Sequence, residues 1–165
     1  MPRSVKYRAY PTVEARSLLR QQGDTARGLW NLIHQHRMFH AKSGRFPTWA
    51  DSDQQIRLGR QELPWLKTLP AQACQQVLRS YRRGWENYWG GTHAKPTYKK
   101  RRGYRRAIDI PQWSAIGWRR HNAKYASVQV PLVGRVKVRV HQELPDKPSG
   151  ARLIGLFIIG AVGCF

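Results

Sequence analysis

Leu69-Pro70-Ala71-Gln72-Ala73-Cys74-Gln75-Gln76-Val77-Leu78-Arg79-Ser80-Tyr81-Arg82-Arg83-Gly84-Trp85-Glu86-Asn87-Tyr88-Trp89-Gly90-Gly91 has the period of a helix, and the segment after Gly91 has no period at all. Leu69-Pro70 is a start signal, and the run from Ala71 meets no breaker before Gly84. Cys74, Val77, Leu78, Tyr81, Trp85, Tyr88 and Trp89 fall three and four apart, so they share one stripe, a core face. Arg79, Arg82, Arg83 and Glu86 lie off it. Gly90-Gly91 stops the helix. From His93 to Arg106 the chain then carries seven Lys or Arg, no acid, and two tyrosines. The expectation is a helix anchored in the core that hands a cationic, aromatic-studded strap to a polyanion.

Beyond Arg106 the helical period gives way to alternation. Ala107 to Ile110 and Tyr125 to Val130 read as strands, and Arg135-Val136-Lys137-Val138-Arg139-Val140-His141 alternates cleanly, its valines inward and Arg135, Lys137, Arg139 and His141 in an outer row. Upstream, Val5 to Tyr10 alternates as well, with Lys6 and Arg8 on the polar side. Pro11-Thr12 ends that strand and caps a helix, with Glu14 in its first turn. Gly23-Asp24 predicts a tight turn into a second helix that reaches about Ala41, so residues 12–41 read as helix, turn, helix. After the loop Lys42 to Pro47, Ser52 with Gln55 suggests a capping box for a short third helix carrying Ile56, Leu58 and Leu63. The ends are β and the middle is α. This order predicts an α+β fold: a small β-barrel or sheet from residues 1–10 and 107–150, interrupted by a helical lobe at 11–106, with 151–165 as an apolar tail.

Thirty Lys and Arg against nine Asp and Glu give a formal net charge of +21, far beyond what solubility requires. A polyanionic partner is implied. An apolar fraction of 41% with seven tryptophans excludes a disordered basic tail. Cys74 and Cys164 lack partners at metal-ligand spacing, and Cys74 sits on the core stripe, which suits a reduced, intracellular protein. Met1-Pro2-Arg3 leads into no apolar signal segment, and the run Leu153 to Phe165 is shorter than the roughly 18 residues a membrane span needs. A cytoplasmic, nucleoid-associated prokaryotic protein is expected, with no membrane partner.

Four pieces in register resemble the N-terminal region of the TnpB/OrfB-type transposases of bacterial insertion sequences. They are Tyr7-Arg8-Ala9-Tyr10-Pro11-Thr12 with the later Trp30-Asn31, then Leu69-Pro70-Ala71-Gln72 into Gln75-Gln76-Val77-Leu78, then Lys95-Pro96-Thr97-Tyr98-Lys99-Lys100-Arg101, and last Val130 to Arg139. The resemblance implies a helix-turn-helix-like recognition lobe and a wedge-like β-barrel that hold guide RNA and a flanking DNA motif, in an RNA-guided endonuclease related to type V CRISPR effectors. In that family a RuvC-like nuclease domain comes next, with acidic residues for two metal ions and a zinc ribbon. Ala151 to Phe165 contains no acid. The expectation is a truncated or frameshifted remnant whose nuclease is missing, with no cofactor in this chain, since divalent metal and zinc would belong to the missing domain.

The residues expected to touch nucleic acid are Arg79, Arg82 and Arg83 on the organising helix, Lys95, Tyr98, Lys99, Lys100, Arg101, Arg102, Tyr104, Arg105 and Arg106 in the strap, and Arg135, Lys137, Arg139, Lys6 and Arg8 on the strands. The second helix offers Arg27, His34, His36 and Arg37 for groove contacts. His36 and His40, four apart, lack a nearby acid or cysteine to complete a metal site. The nine acids are scattered, most of them at helix caps or turns, with no paired carboxylates, phosphate loop or nucleophile elbow, so no independent enzyme is expected. The leading reading is RNA and DNA binding without catalysis. The alternatives are a stand-alone helix-turn-helix DNA-binding transposase-type protein or regulator, and a basic interaction or membrane-surface protein that uses its apolar tail.

Overall fold

The computed structural model describes residues 4–102, 106–144, 148–154 and 157–161. It is an α+β structure with the elements β1 (Ser4–Tyr10), α1 (Val13–Ala41), α2 (Trp49–Glu62), α3 (Ala71–Trp89), β2 (Ala107–Ile110), β3 (Gly117–Arg120), β4 (Tyr125–Val130), β5 (Gly134–Arg139), β6 (Gly150–Ile154) and β7 (Phe157–Ala161). The chain divides into two compact units, Met1–Gly23 with Arg105–Phe165, and Asp24–Tyr104.

The first unit is built on one antiparallel seven-stranded sheet in the order β2-β6-β7-β1-β5-β4-β3. Alternation sends Val5, Tyr7 and Ala9, Ala126, Val128 and Val130, and Val136 and Val138 to one buried face. That face is concave. Laid flat, seven strands at about 4.8 Å would hold β2 about 29 Å from β3. The linker from Ile110 to Gly117 reaches only about 25 Å when fully extended, and a 3-10 turn at Trp113–Ala115 shortens it further. The sheet therefore curls, and Tyr7 on β1 packs its ring 5.3 Å from that of Trp118 on β3, although two strands lie between them in the sheet. No ladder among the described residues joins β2 to β3, so the curl stops short of a hydrogen-bonded barrel.

Three expectations are corrected in this unit. Residues 151–154 and 157–161, read as a tail apart from the sheet, lie in it: β6 pairs with β2, and β7 sits between β6 and β1 with Ser4 opposite Ala161. β6 and β7 pair with each other, but β2 and β1, which join them to the sheet, stand so far away in sequence that local pattern gave no sign of them. The turn at Gly23-Asp24 is absent, because α1 runs unbroken from Val13 to Ala41. A Cβ at Gly23 would stand 2.7 Å from the Cβ of Arg106, so this glycine serves a close approach within a helix and not a change of direction. His141 lies past the end of β5 with its ring 5.8 Å from the core residue Tyr7, and so leaves the outer row. Thr12 caps α1 as expected, its Oγ1 accepting from the Ala15 amide at 3.2 Å.

In the second unit α3 begins after Pro70 and ends at Gly90, with Gly91 at φ 73° completing the stop. Cys74, Leu78, Tyr81 and Trp85 are buried on the stripe, while Tyr88 and Trp89 at its end reach solvent. Gly84 is tolerated in mid-helix because Pro96 packs there, 3.3 Å from where a Cβ would be. The capping box of α2 is Thr48 with Asp51, not Ser52 with Gln55. Thr48 Oγ1 accepts from the Asp51 amide at 3.1 Å and Asp51 Oδ2 accepts from the Thr48 amide at 2.9 Å, leaving Ser52 a turn inside the helix. Arg60 ties α2 to the chain ahead of α3, its Nη1 donating to the carbonyls of Leu66 and Leu69.

Candidate nucleic-acid interface

In the helical unit the strap is docked. Arg27, Trp30, Asn31 and His34 recur at i, i+3, i+4 and i+7 on α1 and so line one stripe. Trp30 Nε1 donates to Thr97 O at 3.0 Å. Asn31 grips Lys99 twice, Nδ2 donating to its carbonyl at 3.1 Å and Oδ1 accepting from its amide at 2.8 Å, as a neighbouring strand would. The Lys99 ammonium lies 3.7 Å from the Trp30 ring centroid, Lys95 lies 5.6 Å over Trp85, and Tyr98 meets the His34 ring edge-on at 4.6 Å. Beyond these anchors Lys100, Arg101 and Arg102 are exposed. Tyr104 and Arg105 lie outside the described residues.

Arg79 and Arg83 stand exposed on α3. Arg82 is exposed too, and its charge is partly answered by Glu86 at 2.8 Å. His34 and Arg37, offered as groove contacts, are core residues instead. The His34 Nδ1 shares a 2.9 Å hydrogen bond with the Tyr81 hydroxyl, and burial, reinforced by the Lys95 ammonium, holds its pKa below the ordinary histidine value. Arg37 is only 5% exposed. Its guanidinium sits 4.3 Å from the Trp49 ring, 4.9 Å from Phe46 and 5.4 Å from Trp85, and Nη1 donates to Pro47 O at 3.1 Å. Burial works against that charge, and the ring faces offset the loss of water. His36 and His40 pack against each other at 4.6 Å, and no group of three His, Cys, Asp or Glu among the described residues is placed to hold a metal.

In the sheet unit the outward face of β1, β5, β4 and β3 carries the second group. Lys6, Arg8, Arg135, Lys137 and Arg139 are all exposed there. Register places Arg8 directly opposite Arg139 and Tyr10 opposite Lys137. Like charges facing each other across a ladder cost stability, and these four strands hold no Asp or Glu. On the far side of the same sheet the charge is matched. Arg152 on β6 grips Asp109 on β2 with two hydrogen bonds, at 2.5 and 3.1 Å, which raises the Arg152 pKa. Arg106 is half-buried where it meets Gly23.

Sequence reasoning missed four members of the outward face. Arg119 comes from β3, a strand too short and irregular to announce itself. Tyr125 lies 4.0 Å beneath the Lys137 ammonium. Ser127 is buried on the side that should face water, and His121 shares a hydrogen bond with it. The register alone could have found Arg119 and Tyr125. Nothing in the pattern marks Ser127.

Residues 1–37 match the family model of the OrfB/IS605-type helix-turn-helix domain. No curated protein matches the chain. The match supports a DNA-binding, transposase-type function for this N-terminal segment, which in the structure is strand β1 followed by most of the unbroken α1. No helix among the described residues is long and apolar enough to cross a membrane.

Proposed function

We propose that this chain is the nucleic-acid-holding part of a transposon-encoded, RNA-guided system, binding structured RNA and a flanking DNA motif without cutting either by itself. The observation that carries the reading is the outward face of β1, β5, β4 and β3, four strands that hold no acid, where Arg8 opposes Arg139 and Lys6, Arg119, Arg135 and Lys137 stand exposed. Such a face is stabilised by an incoming polyanion. Lys and Arg neutralise phosphates directly and need no cofactor to do so. The docked strap adds Lys100, Arg101 and Arg102 at a fixed place, with Tyr98 exposed beside them for stacking. In this role the protein reads shape and a short motif while base pairing reads sequence. A cytoplasmic, DNA-associated location goes with this role.

A second reading, a DNA-binding protein that uses no RNA, is favoured by the helix-turn-helix match over residues 1–37. Competition between transposon-end RNA and duplex DNA of equal length, monitored by fluorescence anisotropy, separates the two. Preference for RNA with affinity falling steeply as salt rises is expected, whereas equal or better binding to duplex DNA favours the second reading. Cleavage of labelled DNA by the purified chain with Mg²⁺ would remove the non-catalytic part of the proposal.

A further inference from the structure

We propose that Ser127 is the floor of a phosphate seat walled by His121, Arg135, Arg119 and Lys137, and that the seat takes one phosphodiester of a bound nucleic-acid backbone. This rests on the nucleic-acid reading above and assigns it a particular contact. The sign is a break in alternation. On β4, Ala126, Val128 and Val130 face the core while Tyr125 and Gln129 face outward, yet Ser127 between them is 3% exposed. Its neighbours are polar heads bonded to it. Arg135 Nη1 donates to Ser127 Oγ at 3.0 Å, and His121 Nε2 shares a hydrogen bond with the same oxygen at 2.8 Å.

A hydroxyl has one proton and two lone pairs, so one serine can hold both heads at once. Ladder register supplies the other walls. Arg119 on β3 and Lys137 on β5 stand directly opposite Ser127 on either side, and directly opposed residues project to the same face. The Lys137 ammonium is tethered over the Tyr125 ring at 4.0 Å. Three Lys or Arg and an imidazole thus converge within two strand spacings, about 10 Å. An exposed arginine ordinarily roams among rotamers. Here one is tied to a buried hydroxyl with no acid on its own strand or the two beside it, an arrangement that orders cations for an anion. β4 and β5 are interior strands, so the row does not serve to keep a sheet edge from pairing. The planar fork of Arg135 suits paired phosphate oxygens, and His121 keeps Nδ1 for the ligand.

The test scans a short single-stranded RNA, and DNA of the same sequence, with one neutral methylphosphonate at a time. Binding to the wild-type chain, Ser127→Ala and Arg135→Gln is measured by anisotropy, with inorganic phosphate as competitor. In the wild type one or two positions should cost about tenfold, and in both variants the same positions should cost less than about twofold while overall affinity drops about three- to tenfold. Arg135 is exposed, so its variant keeps the test valid if Ser127→Ala folds poorly. Variants that scan like the wild type overturn the seat alone. Inorganic phosphate that binds the wild type but fails to displace the strand also overturns it, since the source would then be free phosphate. A wild-type chain that binds neither strand overturns the functional reading together with the seat.

Discussion

The two cationic surfaces are held in place by different physics. On the sheet, Arg8, Arg135, Lys137 and Arg139 stand where backbone register puts them, and the hydrogen-bonded ladder bears the cost of facing Arg8 against Arg139. On the helical unit, Lys95 and Lys99 belong to a segment without regular secondary structure, positioned by side chains: Asn31 at its backbone, Trp30 beneath an ammonium, His34 against Tyr98. The sheet surface should therefore tolerate changes in the side chains behind it. The strap should not.

The sharpest way to break this contrast is Tyr81→Ala. Tyr81 is fully buried, bonded to His34 and packed at 5.0 Å against Trp30, so its loss should cost about 3–5 kcal/mol of stability. Chemical denaturation measures that cost, and amide exchange should show the strap losing protection while β4 and β5 keep theirs. A milder disturbance of the same core comes through pH. His34 is held below its ordinary pKa by burial, so as pH falls through about 6.5 the unfolded chain takes up a proton that the folded one resists. Stability should fall over that window and level off only below the depressed folded value. In His34→Phe, urea midpoints at acid and neutral pH should lie closer together than in the wild type; an unchanged gap would remove His34 as the cause.

Binding distinguishes the surfaces next. Replacing Lys100, Arg101 and Arg102 together by Ala should lower the slope of log K against log salt by about 2–3 and leave the melting temperature unmoved, since all three are exposed. Asn31→Ala removes no charge. It should leave that slope intact, weaken binding about two- to fivefold, and speed tryptic cleavage after Lys99 and Lys100. Equal cleavage rates would mean that the strap does not depend on the Asn31 grip. The smallest effect has opposite signs in two assays: Arg139→Gln should raise the melting temperature by roughly 1–2 °C, by relieving the opposed pair, while weakening nucleic-acid binding.

Much of this was legible in the chain. Pro70 and Gly90-Gly91 bracket α3 as punctuation should, and β1 and β5 keep to their alternation. Failures occur where a residue answers to something distant. Gly23 looks like a turn because the Arg106 side chain that requires it lies 83 positions on. Arg37 looks like a surface cation because the rings around it come from three places in the sequence, Phe46, Trp49 and Trp85. Ser127 breaks the period through two polar neighbours, and the apolar run after Gly150 hides strands whose partners are β2 and β1. On the interface, the register that sets Arg8 against Arg139 and gathers cations around Ser127 could not be read from either strand alone.

The place of β7 beside β1 sets the order in which the molecule can assemble. Ser4 faces Ala161, so β1 must wait for β7, made after every other described element, before its open side is covered. The helical unit draws its packing from residues 24–104 and can close during synthesis. Until the late hairpin of β6 and β7 arrives, β1 presents an uncovered row of amides and carbonyls, and its lysine and arginine repel similar chains over that interval.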